Sequence, residues 1–360
     1  MLMRTFFVLV SGEHPTIPYA EVNAALEVLG YNYKVIEVLP QIIRLKAERD
    51  PCAFLADRCS MVHLCCTELF SCRTSLKDVL TNLSKVIPSF LRGRKIAVRV
   101  RRVGERRVNG LRSVELERIL GENVVRALGA KVDLESPEVT LIGVVSDKFL
   151  LGILCEKGRR GEYESRRARC KPFFHPSSFD PRLARALVNL ARTRRGDLVL
   201  DPFFGTGGIL IEAGLIGGEV IGVDIDEDMA HGGLVNLRHY GVEPVGVIVA
   251  DSLLPPFRRG FAKRIITDPP YGRTASTHQR TPSEIISRLP QLMNYLLKDD
   301  GWGVMIRPLG PDVVQTGAPT GLNVLERHTI RVHSGLTREV LVVKKGDGGH
   351  ILRKRGRHAH

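Results

Sequence analysis

The sequence predicts an α/β protein in which a Rossmann-like, doubly wound domain follows a basic α+β region. Three observations carry this expectation. Residues 197–226 read as strand, glycine loop, helix, strand and acid, the βαβ order of nucleotide-binding folds. Asp201, Asp224, Asp251 and Asp268 each close a short apolar run, so one carboxylate is expected at the end of each of four strands. The formal net charge is +14 and the positive residues come in blocks, eight between Arg92 and Arg107 and seven between Lys157 and Lys171, a pattern that favours a polyanionic partner. With 360 residues, 43% hydrophobic and 26% charged, the chain is long enough for two or more cores and has the composition of a soluble globular protein.

Residues 4–10 alternate weakly and end in Ser-Gly, so they read as a first core strand; His14-Pro15 and the residues before it supply no small-residue cleavage site. Residues 17–29 carry Tyr19, Val22, Ala25, Leu26 and Leu29 at helical spacing, with Pro18 in the first turn and Gly30 as the stop. Residues 33–39 and 42–47 are strands around Pro40. A helix from Ala53, a strand over 61–70, a helix over 76–83 and a strand over 96–103 follow. In that last strand Val98, Val100 and Val103 are read as core, and Arg99, Arg101 and Arg102 as a basic face able to neutralise phosphates without reading bases. Ser113-Val114-Glu115-Leu116-Glu117 opens a helix by a capping pattern and Gly129 ends it; short strands follow over 131–134, 140–145 and 150–154. Residues 156–171, polar and charged, read as a linker.

In the second half, a helix over 181–191 precedes a buried strand over 197–201. The loop Pro202-Phe203-Phe204-Gly205-Thr206-Gly207 leads into a helix over 209–215, and strands over 220–223 and 245–249 flank a helix over 229–240. Residues 265–267 form a strand that stops at Asp268-Pro269-Pro270-Tyr271, where two prolines forbid helix and supply no N–H. Strands over 303–306, 331–333 and 340–343 end the sheet, and residues 347–360 form a basic tail expected to be flexible. No run of about 18 apolar residues exists, so no membrane span is expected and the chain is placed in the cytoplasm.

Seven cysteines include Cys52, Cys59, Cys65, Cys66 and Cys72 in one segment, with no C-x-x-C pair, which argues against a zinc ribbon; no metal is expected. Adjacent Cys65 and Cys66 suit small buried roles or a bridge from one of them. Abundant Arg and only four Gln lean toward a hyperthermophile, where an intracellular disulfide is allowed.

The chemistry concentrates in the second half. Gly205 and Gly207 let backbone approach a ligand, and Asp224 is placed to take ribose hydroxyls. Asp201 opens the loop, where a pyrophosphate would be repelled but a sulfonium carrying an amino-acid end would be attracted. That choice favours S-adenosylmethionine (SAM) over a dinucleotide. At the corner, Asp268 and the Pro269 carbonyl can accept the two N–H bonds of an exocyclic amine while Tyr271 stacks on its base. Taken singly, each of these is as readily a turn, a helix cap or plain core; their order and spacing together are not.

The segment Asp201 to Gly207 resembles motif I of the DPPY amino-methyltransferases, and Asp268-Pro269-Pro270-Tyr271 resembles their motif IV. Residues Val98 to Gly104, Ser113 to Gly121 and Lys131 to Leu134 resemble the THUMP domain of RNA-modifying enzymes. Over nearly the whole chain, including Phe173-Phe174-His175-Pro176, residues 181–191 and Asn236 to Gly241, the sequence is similar to the archaeal and eukaryotic enzymes that methylate the N2 amine of guanosine 10 in tRNA. It departs from them at Phe204, where Cys is frequent, with little consequence expected.

The resemblance implies a ferredoxin-like domain over 1–50, a THUMP domain over 51–155, a linker over 156–172 and a SAM-dependent methyltransferase domain over 173–346. It implies cofactor contacts from Phe174, His175, Pro176, Asp201, Pro202, Phe203, Gly205, Thr206, Gly207, Asp224, Ile225, Asp251 and Ser252. Catalytic positions would be Asp268, Pro269, Pro270 and Tyr271, and RNA contacts Arg99, Arg101, Arg102 and Arg273, in a monomer acting on tRNA. A guanosine-6 tRNA enzyme, a DNA or rRNA amino-methyltransferase and a non-catalytic tRNA-binding protein remain as alternatives.

Overall fold

The computed structural model describes residues 3–86, 88–176, 178–270, 281–309, 321–333 and 336–346, which fall into two compact units, Met1–Ser165 and Arg166–His360. The basic tail lies outside the described residues.

The first unit is one eight-stranded sheet. Its elements are β1 (Arg4–Val10), α1 (Ile17–Leu29), β2 (Tyr33–Leu39), β3 (Ile42–Ala47), α2 (Cys52–Arg58), β4 (Val62–Cys72), α3 (Leu76–Val86), β5 (Lys95–Arg102), α4 (Ser113–Leu128), β6 (Lys131–Val132), β7 (Val139–Val145) and β8 (Phe149–Lys157), in the sheet order β2-β3-β1-β4-β8-β7-β5-β6. Strand β1 pairs antiparallel with both β3 and β4, so the sheet runs unbroken across residues 50–51. One core packs α1 and α2 on β1, β3 and β4 through Phe6, Val8, Leu26, Leu45 and Leu55, and a second packs α3 and α4 on β5, β7 and β8 through Val79, Leu120, Val98, Leu141 and Phe149. A carboxylate joins the first core: Glu21 on α1 is fully buried and accepts from Ser60 N, Ser60 Oγ and Met61 N at 2.8–2.9 Å, which satisfies the charge and fixes the start of β4.

The strand β5 is less simply two-faced than expected. Ala97 is as buried as Val98 and Val100, and Arg99 lies half-buried with its guanidinium donating to the Leu134 carbonyl at 3.2 Å. Arg101 and Arg102 are exposed, but alternation along a regular strand puts Arg102 on the face of Val98 and Val100, past the end of the core. The cap of α4 also shifts by one residue. Arg112, not Ser113, occupies the cap position, and its backbone N–H donates to Glu115 at 2.7 Å.

The second unit contains α5 (Pro181–Leu190), β9 (Leu198–Asp201), α6 (Gly208–Leu215), β10 (Glu219–Asp224), α7 (Glu227–His239), β11 (Gly246–Val249), β12 (Ala262–Thr267), α8 (Pro282–Leu296), β13 (Leu297–Pro308), β14 (Leu322–His333) and β15 (Leu336–Lys345). The sheet order is β11-β10-β9-β12-β13-β15-β14, parallel through β13 and antiparallel in the closing hairpin. Helix α8 is absent from the sequence expectations. Thr281 caps it, accepting from Glu284 N at 3.2 Å, and Ile285, Leu289, Met293 and Leu296 join the core of Leu200, Ile265 and Met305 despite Pro290 in mid-helix. Residues 160–166 and 168–170, expected as open linker, form 3-10 turns. Arg166 is drawn into a buried triad, with Arg166 and Arg185 both on the Glu212 carboxylate at 2.6 and 2.9 Å.

Phe204 has a visible consequence. Its ring lies against Gly222 of β10 and Gly233 of α7, where a Cβ would come within 2.6 and 2.4 Å of it. Gly222→Ala is therefore expected to destabilise the second unit by ~1–3 kcal/mol through overpacking. Chemical denaturation of Gly222→Ala, Phe204→Cys and the double variant checks this: the double variant should be more stable than the summed single effects.

Candidate active site

The strand order reverses direction between β9 and β12, and in open α/β sheets the crevice beyond the carboxyl ends at such a crossing is where ligands bind. Asp201 is the last residue of β9, and Asp268 follows the last residue of β12. Thr267 Oγ1 donates to Asp201 Oδ1 at 2.8 Å and Phe203 N donates to the same oxygen at 3.1 Å.

The loop after β9 is held along its length by the surrounding strands and helices. Ser252 Oγ donates to the Pro202 carbonyl, tying the end of β11 to the loop. Phe204 N donates to the Val223 carbonyl at 2.9 Å, and Gly205 N to Asp224 Oδ2 at 2.7 Å. Asp224 Oδ1 accepts from Asp226 N at 3.0 Å. Gly205 and Gly207 take φ of 51° and 78°, in the left-handed region that a side chain would strain, and Gly207 caps α6.

Asn236, on α7, is a residue whose role the sequence did not disclose. Fully buried, it accepts from Phe173 N at 2.9 Å and donates to the Phe173 and Thr206 carbonyls at 3.0 and 3.1 Å. It thereby fastens residues 173–176 to the glycine loop. The ring that packs there is Phe173, whose atoms stand within 2.5 Å of where a Gly232 Cβ would lie, whereas Phe174 is 59% exposed. His175 is half-buried and Pro176 exposed. A buried Asn in a helix offered no signal beyond its residue type.

The remaining expected residues sit around the same crevice. Ile225 is an exposed apolar side chain just past β10, and Asp251 accepts from Leu253 N at 2.9 Å in the turn after β11. Pro269 is buried, and Asp268 pairs with Arg338 of β15 at 3.2 Å. Tyr271, Arg273 and the basic loop expected over 273–280 lie outside the described residues.

The electrostatics of the strand ends are dominated by buried charge. Burial pushes Asp201 up to about 7, with the carboxylates of Asp224 and Asp268 adding to it against the Thr267 and Phe203 hydrogen bonds. Burial likewise raises Asp224. On the other side of the loop, Lys171 is 6% exposed and its Nζ has no hydrogen-bond partner among the described residues. That Nζ stands 3.4 Å from where a Gly208 Cβ would be, at the first residue of α6, and burial lowers it to about 8. The glycine loop thus runs between buried carboxylates at the strand ends and a buried cation at the N-terminus of α6.

Burying the Asp201 carboxyl costs stability. Asp201 titrates near 7 in the fold but near 3.8 when exposed, so the folded state holds a proton that the unfolded state loses, and stability falls as pH rises from about 4 to about 7. Asp201→Asn, which keeps the acceptor oxygen, should raise the stability of the second unit at pH 8 by on the order of a few kcal/mol, with the advantage vanishing toward pH 4. Calorimetric unfolding across that range checks both size and sign.

Comparison with known proteins places this geometry. Residues 167–339 match the family model UPF0020, an RMKL-like methyltransferase domain. A tRNA (guanine(10)-N2)-dimethyltransferase of Methanothermobacter thermautotrophicus is 33% identical over 94% of this chain and 98% of its own length. One from Methanocaldococcus jannaschii is 31% identical over 94% and 99%. The crystal structure of TrmN from Thermus thermophilus shares the fold, with a TM-score of 0.54 at 24% identity over 95% of this chain and 99% of that one. Similar to the two dimethyltransferases over 94% of its length, the chain belongs to the tRNA (guanine(10)-N2)-dimethyltransferase family.

Proposed function

We propose that the chain transfers a methyl group from SAM to the exocyclic N2 amine of guanosine 10 in tRNA, giving N2-methylguanosine and, on a second transfer, N2,N2-dimethylguanosine. It acts as a cytoplasmic monomer. The observation that carries the reading is the facing pair of strand ends: an acid-opened glycine loop after β9 and Asp268-Pro269-Pro270 after β12, bridged by Thr267. No helix among the described residues is long and apolar enough to cross a membrane.

The residues present fit the cofactor. SAM supplies a methyl group already activated by a positive sulfur. Asp201 and Asp224 favour that charge and the amino group, while the Lys171 Nζ beside the N-terminus of α6, without a hydrogen-bond partner among the described residues, suits the carboxylate. Asp224 would hold the ribose hydroxyls, and Ile225, Asp251 and Ser252 would hold the base of the cofactor. Phe174, His175 and Pro176 close the crevice under the control of Asn236. Pro202, Phe203, Gly205, Thr206 and Gly207 supply the close-approaching backbone.

At the other strand end, Asp268 and the Pro269 carbonyl accept the two N–H bonds of the guanine amine and aim its lone pair at the methyl carbon. Positioning of this kind is the main catalytic contribution, because the leaving group needs no protonation. Asp268 accepts the proton that the amine loses as the bond forms. Pro270 stiffens the corner, and Tyr271 receives the base by stacking once it leaves the helix. The first unit, with the domains proposed over 1–50 and 51–155, holds tRNA through phosphate contacts that include Arg99, Arg101 and Arg102, joined by Arg273 of the second unit.

An unmodified tRNA transcript incubated with SAM and digested to nucleosides tests the reading. N2-methylguanosine should form and vanish when position 10 is changed from G to A; product that persists moves the target, and no product on any tRNA rejects the activity. Asp268→Ala should lower transfer by at least about a thousandfold, the loss of both positioning and proton acceptance, with S-adenosylhomocysteine affinity nearly unchanged. Lys171→Met should weaken S-adenosylhomocysteine binding. In the parent, affinity should fall above pH 8 as the free Lys171 loses its proton, and titration calorimetry should show this slope absent from the variant.

A further inference from the structure

The first unit carries a second cluster of chemistry, remote in sequence from the strand-end aspartates Asp201, Asp224, Asp251 and Asp268. Cys52 opens α2, Cys65 lies on β4 and Cys155 on β8; Cys52 and Cys65 form a disulfide. Cys65 and Cys66 point to opposite faces, Cys65 into the core under α1 and α2 and Cys66 into the core of Phe7 and Leu150. Cys155 packs on the Cys65 face, with its sulfur 3.2 Å from Thr67 Oγ1. Asp50 completes the group: its Oδ1 accepts from Cys52 N at 2.8 Å, and one carboxylate oxygen, Cys52 Sγ and Cys155 Sγ all lie within 4.8 Å of one another.

We propose that, when the Cys52–Cys65 disulfide is reduced, Cys52, Cys65, Cys155 and Asp50 bind a zinc ion. Three sulfurs and one carboxylate are a four-coordinate donor set suited to that metal. Tetrahedral Zn–S bonds of ~2.3 Å put sulfurs ~3.8 Å apart, so closing a spacing of up to 4.8 Å takes about an ångström. Cys65 Sγ, bonded to Cys52 Sγ but outside that 4.8 Å group, has to swing toward Cys155 and Asp50 once that bond is broken. Asp50 is exposed, which leaves the site one solvent-facing edge for metal access.

The exchange balances. A dithiol reductant delivers two electrons and two protons to the Cys52–Cys65 bond and leaves as its own disulfide. Zinc binding then displaces three thiol protons to solvent, leaving three thiolates and one carboxylate around the ion. Both states fasten α2 to the sheet, the disulfide to β4 alone and the metal to β4 and β8 together. The spacing 50, 52, 65 and 155 belongs to no zinc-ribbon pattern, so the site emerges only when the sheet brings β4 and β8 side by side.

Cobalt titration of the full chain tests this. After reduction by a dithiol and removal of the reductant under argon, the protein should take up one equivalent of Co2+ with thiolate-to-cobalt charge-transfer absorption, which Zn2+ then bleaches. The oxidised chain should show no such band. Cys155→Ser, checked for folding by circular dichroism, and Asp50→Asn, at an exposed position, should each weaken Zn2+ binding by at least about tenfold, the scale seen even for partners behind the ligands. A reduced chain without the band, an oxidised chain with it, or unchanged affinity in both variants overturns the proposal.

Discussion

The hydrogen bond from Thr267 Oγ1 to Asp201 Oδ1 ties the end of β12 to the end of β9 across the one place where the sheet reverses its order. Everything in the crevice depends on that bridge. It holds a fully buried carboxylate at a position where burial and two neighbouring aspartates oppose its charge. An arrangement so costly in an empty fold persists where the missing counter-charge arrives with a ligand, and SAM brings two positive groups. The same logic runs in reverse for Lys171, a buried amine with no hydrogen-bond partner among the described residues, whose burial outweighs the opposing charge of Glu212.

Around this centre the protein uses close packing more than side-chain charge. Consecutive glycines in α7 admit two aromatic rings, Phe173 onto Gly232 and Phe204 onto Gly233, while Asn236 one turn later binds the backbone of both segments that those rings anchor. Loop shape is thus set by β10 and α7 rather than by the loop's own residues. A departure at Phe204 is absorbed because Gly222 and Gly233 leave room for the ring.

Much of this was legible in the sequence, for identifiable reasons. Short apolar runs ending in aspartate pointed to the strand ends of β9, β10 and β12, and the Asp268-Pro269-Pro270 corner to the site's second wall. Helix α8 is the element the sequence hid: Pro290 sits in mid-helix against the usual rule, and Pro282 lies in the first turn after the Thr281 cap, where proline is tolerated. Asn236, Arg166 and Lys171 were silent because their roles are set by residues distant in the chain. A run of basic residues reads as solvated surface until packing draws Arg166 onto Glu212 and buries Lys171. The two faces of β5 were misjudged at Arg102 because composition was weighed ahead of alternation.

The measurement that tests the electrostatic account most directly is the proton release on SAM binding, obtained by titration calorimetry in buffers of different ionisation enthalpy at about pH 6.5. With Asp201 near 7 in the free protein, binding of the cationic cofactor should expel a substantial fraction of one proton, less with S-adenosylhomocysteine, which lacks the positive sulfur, and none in Asp201→Asn. Binding without proton release in the parent, or with equal release in the variant, would contradict it.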